Sequence, residues 1–81
     1  MKASRKNHDY RPYNGHPNWQ LWNVSMWISN DYGLYKLAVE LISKNGLKGA
    51  AAELYELLKD QSTPDGAAYS RIAIRYALRD L

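Results

Sequence analysis

The alternation of apolar and polar positions predicts an all-α protein. Within residues 30–44, and again within residues 47–60, apolar side chains recur every three or four positions and polar ones fill the other side, as in amphipathic helices. Asn30 and Asp31 suit the start of the first of these helices as an N-cap and a first-turn acid, which match its free N–H groups and its positive end. Gly46 lies between the two segments and supplies a left-handed residue at which a helix can end.

Two further helices are predicted on either side of this region. Pro17 tolerates a first helical turn, where the N–H that it lacks would be unpaired in any case, so a helix is expected from about residue 16 to residue 30. The Ser-Thr-Pro-Asp sequence of residues 62–65 combines a break, an N-cap, a proline and an acid, which predicts a last helix that runs to the C-terminus. We therefore expect a compact bundle of four short helices joined by tight turns.

The first predicted helix differs from the others because it is apolar nearly all round. Its aliphatic residues fall on one side, and its three tryptophans spread over the other. Each indole needs about 150–250 Å² of cover, and a chain of 81 residues has a limited interior. We expect a mainly buried helix with at least one ring near the surface, where Trp and Tyr often anchor interfaces. The three rings are Trp19, Trp22 and Trp27.

Two asparagines lie among these rings. Buried amide groups are almost always hydrogen-bonded, so Asn23 and Asn30 are expected to fix a loop or the amino-terminal tail rather than a ligand.

The distribution of charge adds a basic arm to this picture. The chain has a net charge of +3, and four cations against Asp9 place this excess before residue 16. Residues 1–15 contain Pro, Gly and Asn without an apolar period, which predicts a flexible arm ahead of a single helical domain in residues 16–81. The arm is either a weak phosphate-binding element or a solubilising tail. Its cations are Lys2, Arg5, Lys6 and Arg11.

A row of arginines lies along the last predicted helix. Arg71, Arg75 and Arg79 repeat every four residues and therefore line one side of it. Together with the arm, they could neutralise several phosphates, or they could contact an acidic protein surface. The structural alternative is a solvated edge in which they pair with Asp65 or Asp80 or pack their aliphatic stems on Tyr76.

Motifs of catalysis and of metal binding are missing from the sequence. It contains no cysteine, no His-Glu-x-x-His and no glycine-rich phosphate loop. The two histidines, His8 and His16, lie in or beside the arm, where a site would have no rigid support. We expect no enzymatic activity, no cofactor and no metal. The lack of cysteine and of a long apolar run favours a cytoplasmic protein without a signal peptide or a membrane span.

Residues 18–35 resemble a known pattern, N-x-x-x-W-N-V-x-x-W-I-x-N-D-x-G-L-Y. It is similar to the core of small, mostly uncharacterised proteins of bacteriophages and other mobile elements, which have no assigned catalytic residues. The resemblance implies a phage-type protein, an origin in which inhibitors of host defence and small DNA-associated regulators are both common. The residues that carry it are Asn18, Trp22-Asn23-Val24, Trp27-Ile28, Asn30-Asp31 and Gly33-Leu34-Tyr35.

These features favour a protein that binds another protein and catalyses nothing. Tyr, Trp and Arg most often carry the binding energy of interfaces. The resemblance adds a concrete hypothesis, an inhibitor that binds a bacterial host protein or defence complex, such as a CRISPR surveillance complex, in the bacterial cytoplasm. The predicted partner-binding residues are Arg71, Arg75, Arg79, Trp19, Trp22, Trp27 and Tyr35.

Two alternatives remain open. One is a small DNA- or RNA-associated regulator that binds phosphates through the arm and the arginine row. The other is a self-associating structural module in which the aromatic helix pairs with its own copy. The number of subunits is not determined by the sequence.

Overall fold

The described part of the protein is all-α. The computed structural model describes residues 12–81 and has three helices there: α1 (Trp19–Asn30), α2 (Tyr32–Leu58) and α3 (Arg71–Arg79). Most of the predicted basic arm, including Lys2, Arg5, Lys6 and Arg11, lies outside the described residues.

Side-chain caps start the first two helices, but α1 begins at Trp19, so Pro17 precedes its N-cap instead of lying in the first turn as predicted. The Oδ1 atom of Asn18 accepts a hydrogen bond of 3.0 Å from the backbone N–H of Leu21, which satisfies a free donor of the first turn of α1. Asp31 Oδ1 accepts one of 3.1 Å from the N–H of Leu34 and caps α2 in the same way. The predicted boundary between these two helices is therefore confirmed, but the N-cap is Asp31, and Asn30, the predicted N-cap, ends α1.

The described chain has three helices, so the predicted count of four is wrong. The helices predicted in residues 30–44 and 47–60 form one element, α2, which bends at Gly46. This glycine does take a positive φ (φ 76°, ψ 172°), but helical residues continue directly on both sides of it. It therefore kinks the helix instead of ending it. Across the bend, the side-chain amide of Asn45 donates a 3.1 Å hydrogen bond to Glu53 Oε1.

The last helix begins at Arg71, not within residues 62–65 as predicted. Thr63, the predicted N-cap, uses its side chain to close a loop, since its Oγ1 accepts a 3.0 Å hydrogen bond from the N–H of Ala67. Gly66 has a φ of 98°, which a continuing helix excludes. Ser70 caps α3 instead, and its Oγ accepts a 3.1 Å hydrogen bond from the N–H of Ala73.

The hydrophobic core lies where the three helices meet. The aliphatic side of α1 is buried as predicted and packs with apolar residues of α2 and α3. None of the helices in residues 12–81 is both long and apolar enough to cross a lipid bilayer. The largest apolar side chains with less than 2% exposure are Val24, Ile28, Leu54, Ile74 and Leu78.

Candidate functional site

A buried asparagine of α1 holds the loop between α2 and α3. Asn23 is only 1% exposed. Its Oδ1 accepts a 2.6 Å hydrogen bond from the hydroxyl of Thr63, and its Nδ2 donates a 2.9 Å hydrogen bond to Asp65 Oδ2. The prediction that Asn23 fixes a loop is therefore confirmed, whereas Asn30 is exposed and makes no such bond within residues 12–81.

Trp27 contacts the same loop through its polar atom. Its indole Nε1 donates a 2.9 Å hydrogen bond to Asp65 Oδ2, the oxygen that also accepts from Asn23. The N–H that a partner could use is thus engaged inside the protein. The half-buried ring of Trp27 has a role in holding the loop onto α1.

The other two tryptophans are also half-buried. Trp19 packs against the hydrophobic core. The ring of Trp22 lies against that of Tyr13, with 4.8 Å between the ring centroids. All three indoles therefore reach the surface in part, as expected for at least one of them.

Tyr35 lies on a different surface, the amino-terminal half of α2. It is 41% exposed there, and Tyr32 on the same helix is 73% exposed. The ammonium group of Lys36 lies 5.6 Å from the centre of the Tyr32 ring. Tyr35 lines neither of the hollows described next.

The exposed side of α3 carries the arginine row around an exposed isoleucine. Arg71, Arg75 and Arg79 are exposed, and Ile72 is 73% exposed. We call these four residues the α3 face. Within residues 12–81, none of the three arginines forms a salt bridge, so the alternative in which they pair with Asp65 or Asp80 is not observed.

The first hollow lies between α2 and the α3 face and has a volume of about 270 Å³. The guanidinium carbon of Arg71 lies 4.2 Å from the centre of the Tyr55 ring, a cation–π contact that holds this arginine at the wall of the hollow. Small side chains of α2 form its floor. The lining residues are Lys48, Ala51, Ala52, Tyr55, Arg71, Ile72 and Arg75.

The second hollow lies on the other side of the α3 face, against the start of α1, and measures about 380 Å³. A 2.6 Å hydrogen bond joins Nδ1 of His16 to the hydroxyl of Tyr76. Burial raises the pKa of Tyr76, and Asp80 raises it further, while Arg79 lowers it. Ile72 and Arg75 line both hollows and form the ridge between them. The lining residues are Pro17, Leu21, Ile72, Arg75, Tyr76 and Arg79.

The two hollows concentrate positive charge in a neutral domain. Of 11 Lys and Arg and 8 Asp and Glu in the chain, four cations and one acid precede residue 12, which leaves seven of each in residues 12–81. None of these seven acids lines either hollow, whereas four of the seven cations do. The four are Lys48, Arg71, Arg75 and Arg79.

Several of the acids are engaged elsewhere. Asp31 caps α2, and Asp65 holds the loop. Glu56 forms a 2.9 Å salt bridge with Lys59. The pKa of Glu56 is lowered by the hydrogen bond from Lys59 and then by the charge of Lys59, with a smaller effect from Arg71. Glu56 therefore lies near Arg71, but its closest cation is Lys59.

No group of side chains in residues 12–81 is arranged to hold a metal ion, since no three of His, Cys, Asp and Glu cluster there. What the α3 face and its hollows can do is bind carboxylate or phosphate groups beside an apolar side chain.

Sequence comparison assigns the chain to a family. Residues 9–80 match a family of unknown function, DUF7249. The chain belongs to DUF7249. The match contains the whole of the pattern in residues 18–35. No curated protein and no solved structure matches the chain significantly.

Sequence reasoning missed three contributors to the site of this DUF7249 member: Lys48, Tyr55 and Ile72. It predicts Tyr76 only as a packing surface for the arginine side chains, and Tyr76 lines the second hollow with Arg75 and Arg79. A signal existed for Ile72, which follows Arg71 and lies outside the apolar stripe of its helix. The positions on α2 gave no comparable signal, because only the packing of α2 beside α3 brings Lys48 and Tyr55 to the arginine row.

Proposed function

We propose that this protein binds another protein through the α3 face and catalyses nothing. The observation that carries the proposal is the concentration of four cations, none of them in a salt bridge within residues 12–81, around an exposed isoleucine in a domain whose net charge is zero. Arginine is over-represented at interfaces, whose centres are apolar and whose rims are polar. The partner surface that complements this face is acidic.

Ile72 favours a protein partner over a nucleic acid. Phosphate contacts come from hydrogen-bond donors, and the face offers three arginines for them. The face also carries Ile72, however, a 73% exposed isoleucine that a phosphate backbone would leave unused. The hollows on both sides of Ile72 also have apolar walls, which suit protein side chains.

The DNA- or RNA-associated regulator is the second candidate, and the arginine row itself supports it. Phosphate binding would combine Arg71, Arg75 and Arg79 with cations of the arm, which lies outside the described residues. Binding of that kind weakens steeply as salt concentration rises, because cations are released from the nucleic acid.

The kind of partner is proposed from the resemblance of residues 18–35 to small proteins of bacteriophages. A phage-type protein that covers the functional surface of a bacterial defence complex, as anti-CRISPR proteins do, fits a small domain without catalytic motifs. In this role the α3 face would contact an acidic patch of the complex. The half-buried rings of Trp19, Trp22 and Trp27 would add contact area to it.

A matched pair of charge reversals tests the proposal. The full-length protein would be used to capture proteins from a bacterial lysate, in parallel with Arg75→Glu on the α3 face and Lys44→Glu, an exposed residue that lines neither hollow. We expect proteins captured by the wild type to be retained by Lys44→Glu and reduced at least tenfold by Arg75→Glu. Equal capture by all three would contradict a role for this face.

The same variants distinguish protein binding from the second candidate function, nucleic-acid binding. Titration of a labelled DNA duplex and a labelled RNA at low and at physiological salt should give little binding if the partner is a protein. Tight binding that falls steeply with salt and depends on Arg75 would instead favour the nucleic-acid regulator. Self-association is checked by sedimentation over a range of concentrations, and a monomer at high concentration would remove that alternative.

A further inference from the structure

We infer that the ligand of the α3 face is an extended acidic peptide segment that inserts one large apolar side chain into the hollow between α2 and α3. The inference rests on the proposed function and names the chemistry of its partner. Four features of the site carry it: the size of the hollow, its walls, the spacing of its cations and the absence of acids from its lining.

The size of the hollow matches a side chain better than a cofactor. Its volume of about 270 Å³ lies just below the range of about 300–1,000 Å³ that small-molecule sites occupy. It is also an open depression between two helices. A site of this kind accommodates one or two side chains of a peptide that runs across the surface.

The walls of the hollow are apolar and its mouth is positive. Ala51 and Ala52 of α2 leave space that larger residues would fill, and Ile72 with the Tyr55 ring covers the sides. Lys48 approaches from α2, while Arg71 and Arg75 approach from α3. An aliphatic or aromatic side chain therefore fits inside, and carboxylates fit at the rim.

The spacing of the arginines matches an extended chain. Successive members of the row are four residues apart on a helix, so they are separated by about 6 Å along its axis. In an extended peptide, side chains on the same face are two residues apart and separated by about 6.6 Å. Acidic residues at alternate positions can thus meet Arg71 and Arg75 in turn, and Arg79 continues the row.

Arg71 is prepared for such a contact. Its guanidinium lies over the Tyr55 ring at 4.2 Å, which restricts its orientation before a ligand arrives. Stacking uses the flat face of the group and leaves its N–H edges available for a bidentate bond to a carboxylate. Ordering of the side chain then costs less on binding.

The test is a selection of peptides against the complete protein. A display library of random twelve-residue peptides would be selected on the immobilised wild type, and enriched peptides would be synthesised and titrated by fluorescence anisotropy. We expect them to contain at least two Asp or Glu residues at alternate positions and one Leu, Ile, Phe or Trp. Replacing this apolar residue by Ser should weaken binding about tenfold, the effect of losing a buried aliphatic side chain.

The same substitution inside and outside the hollow gives the matched control. Ala52 is exposed and lines the hollow, so Ala52→Phe fills it without changing its charge, while Val39→Phe adds the ring at an exposed position of α2 that lines neither hollow. We expect Ala52→Phe to weaken the selected peptides at least tenfold and Val39→Phe to bind them like the wild type. Circular dichroism of both variants would establish that they fold. Equal binding of the peptides to both would overturn the inference.

The outcomes distinguish this inference from the proposed function. If no peptide is enriched, or if enriched peptides lack acids or an apolar anchor, the peptide inference fails. The proposed function survives that result when lysate proteins are still lost with Arg75→Glu and kept with Lys44→Glu. Should a DNA duplex compete with the selected peptides more strongly than their own unlabelled copies, the face is a nucleic-acid site and both ideas fail.

Discussion

At the scale of single residues, the Asn- and Trp-rich segment of α1 is mainly structural. Asn18 caps its helix, Asn23 bonds the loop between α2 and α3, and the indole N–H of Trp27 bonds the same loop. Asp65 accepts hydrogen bonds from two of these side chains. Residues of the pattern in positions 18–35 thereby attach the loop that leads into α3, the helix that presents the arginine row.

Asn23 gives the residue-scale prediction. Asn23→Ala leaves the buried Thr63 hydroxyl without its acceptor and removes one of the hydrogen bonds to Asp65 Oδ2, so we expect a loss of about 1–3 kcal/mol in the free energy of unfolding. For a domain of this size, 1 kcal/mol lowers Tm by about 4–8 °C. Thermal unfolding followed by circular dichroism measures it.

The control is Asn30→Ala, on the same helix but exposed. Its effect should stay within about 0.5 kcal/mol. Equal destabilisation by the two substitutions would show that the loop contacts of Asn23 contribute little.

At the scale of elements, local sequence signals specified backbone angles better than helix ends. Gly46 takes the positive φ that its position predicts, yet α2 continues beyond it. The Ser-Thr-Pro-Asp sequence resembles a helix start, but Thr63 and Asp65 bond to Asn23, which is 40 or more positions away in the chain. The local sequence around residues 62–65 contains no information about a partner so distant in the chain. For this reason it predicts the start of α3 too early.

The kink of α2 gives the element-scale prediction. Gly46 has a φ of 76° and a ψ of 172°, a region that is nearly exclusive to glycine. An added Cβ would meet nothing within 4 Å, so the cost of Gly46→Ala is conformational and amounts to about 1–3 kcal/mol. Urea unfolding curves of the variant and the wild type measure this difference.

Gly33→Ala is the matched substitution within the helical part of α2. Its added Cβ would lie 3.4 Å from Asp31 Oδ1, an ordinary contact, and alanine favours a helix by up to about 1 kcal/mol over glycine. We expect an unchanged or higher stability. A destabilised Gly33→Ala beside a neutral Gly46→Ala would contradict the bend described here.

At the scale of the whole molecule, positive charge is concentrated around the two hollows, although the net charge of residues 12–81 is zero. The four-residue repeat predicts the arginine row. It does not predict that the three arginines form no salt bridge within these residues. Pairing depends on where the acids lie after folding, which local periodicity does not determine. The same holds for Lys48 and Tyr55, which become part of the site only through the packing of α2 beside α3.

The central claim is that the α3 face is where a protein partner binds, and site-specific photo-cross-linking tests it most directly. Benzoylphenylalanine would be placed at Ile72, or at Val39 as an exposed apolar position on α2, and the full-length protein irradiated in bacterial cells. We expect a discrete protein adduct from position 72 that disappears with Arg75→Glu and persists with Lys44→Glu. Adducts of equal yield from position 39, or cross-linking of position 72 to nucleic acid alone, would contradict the account.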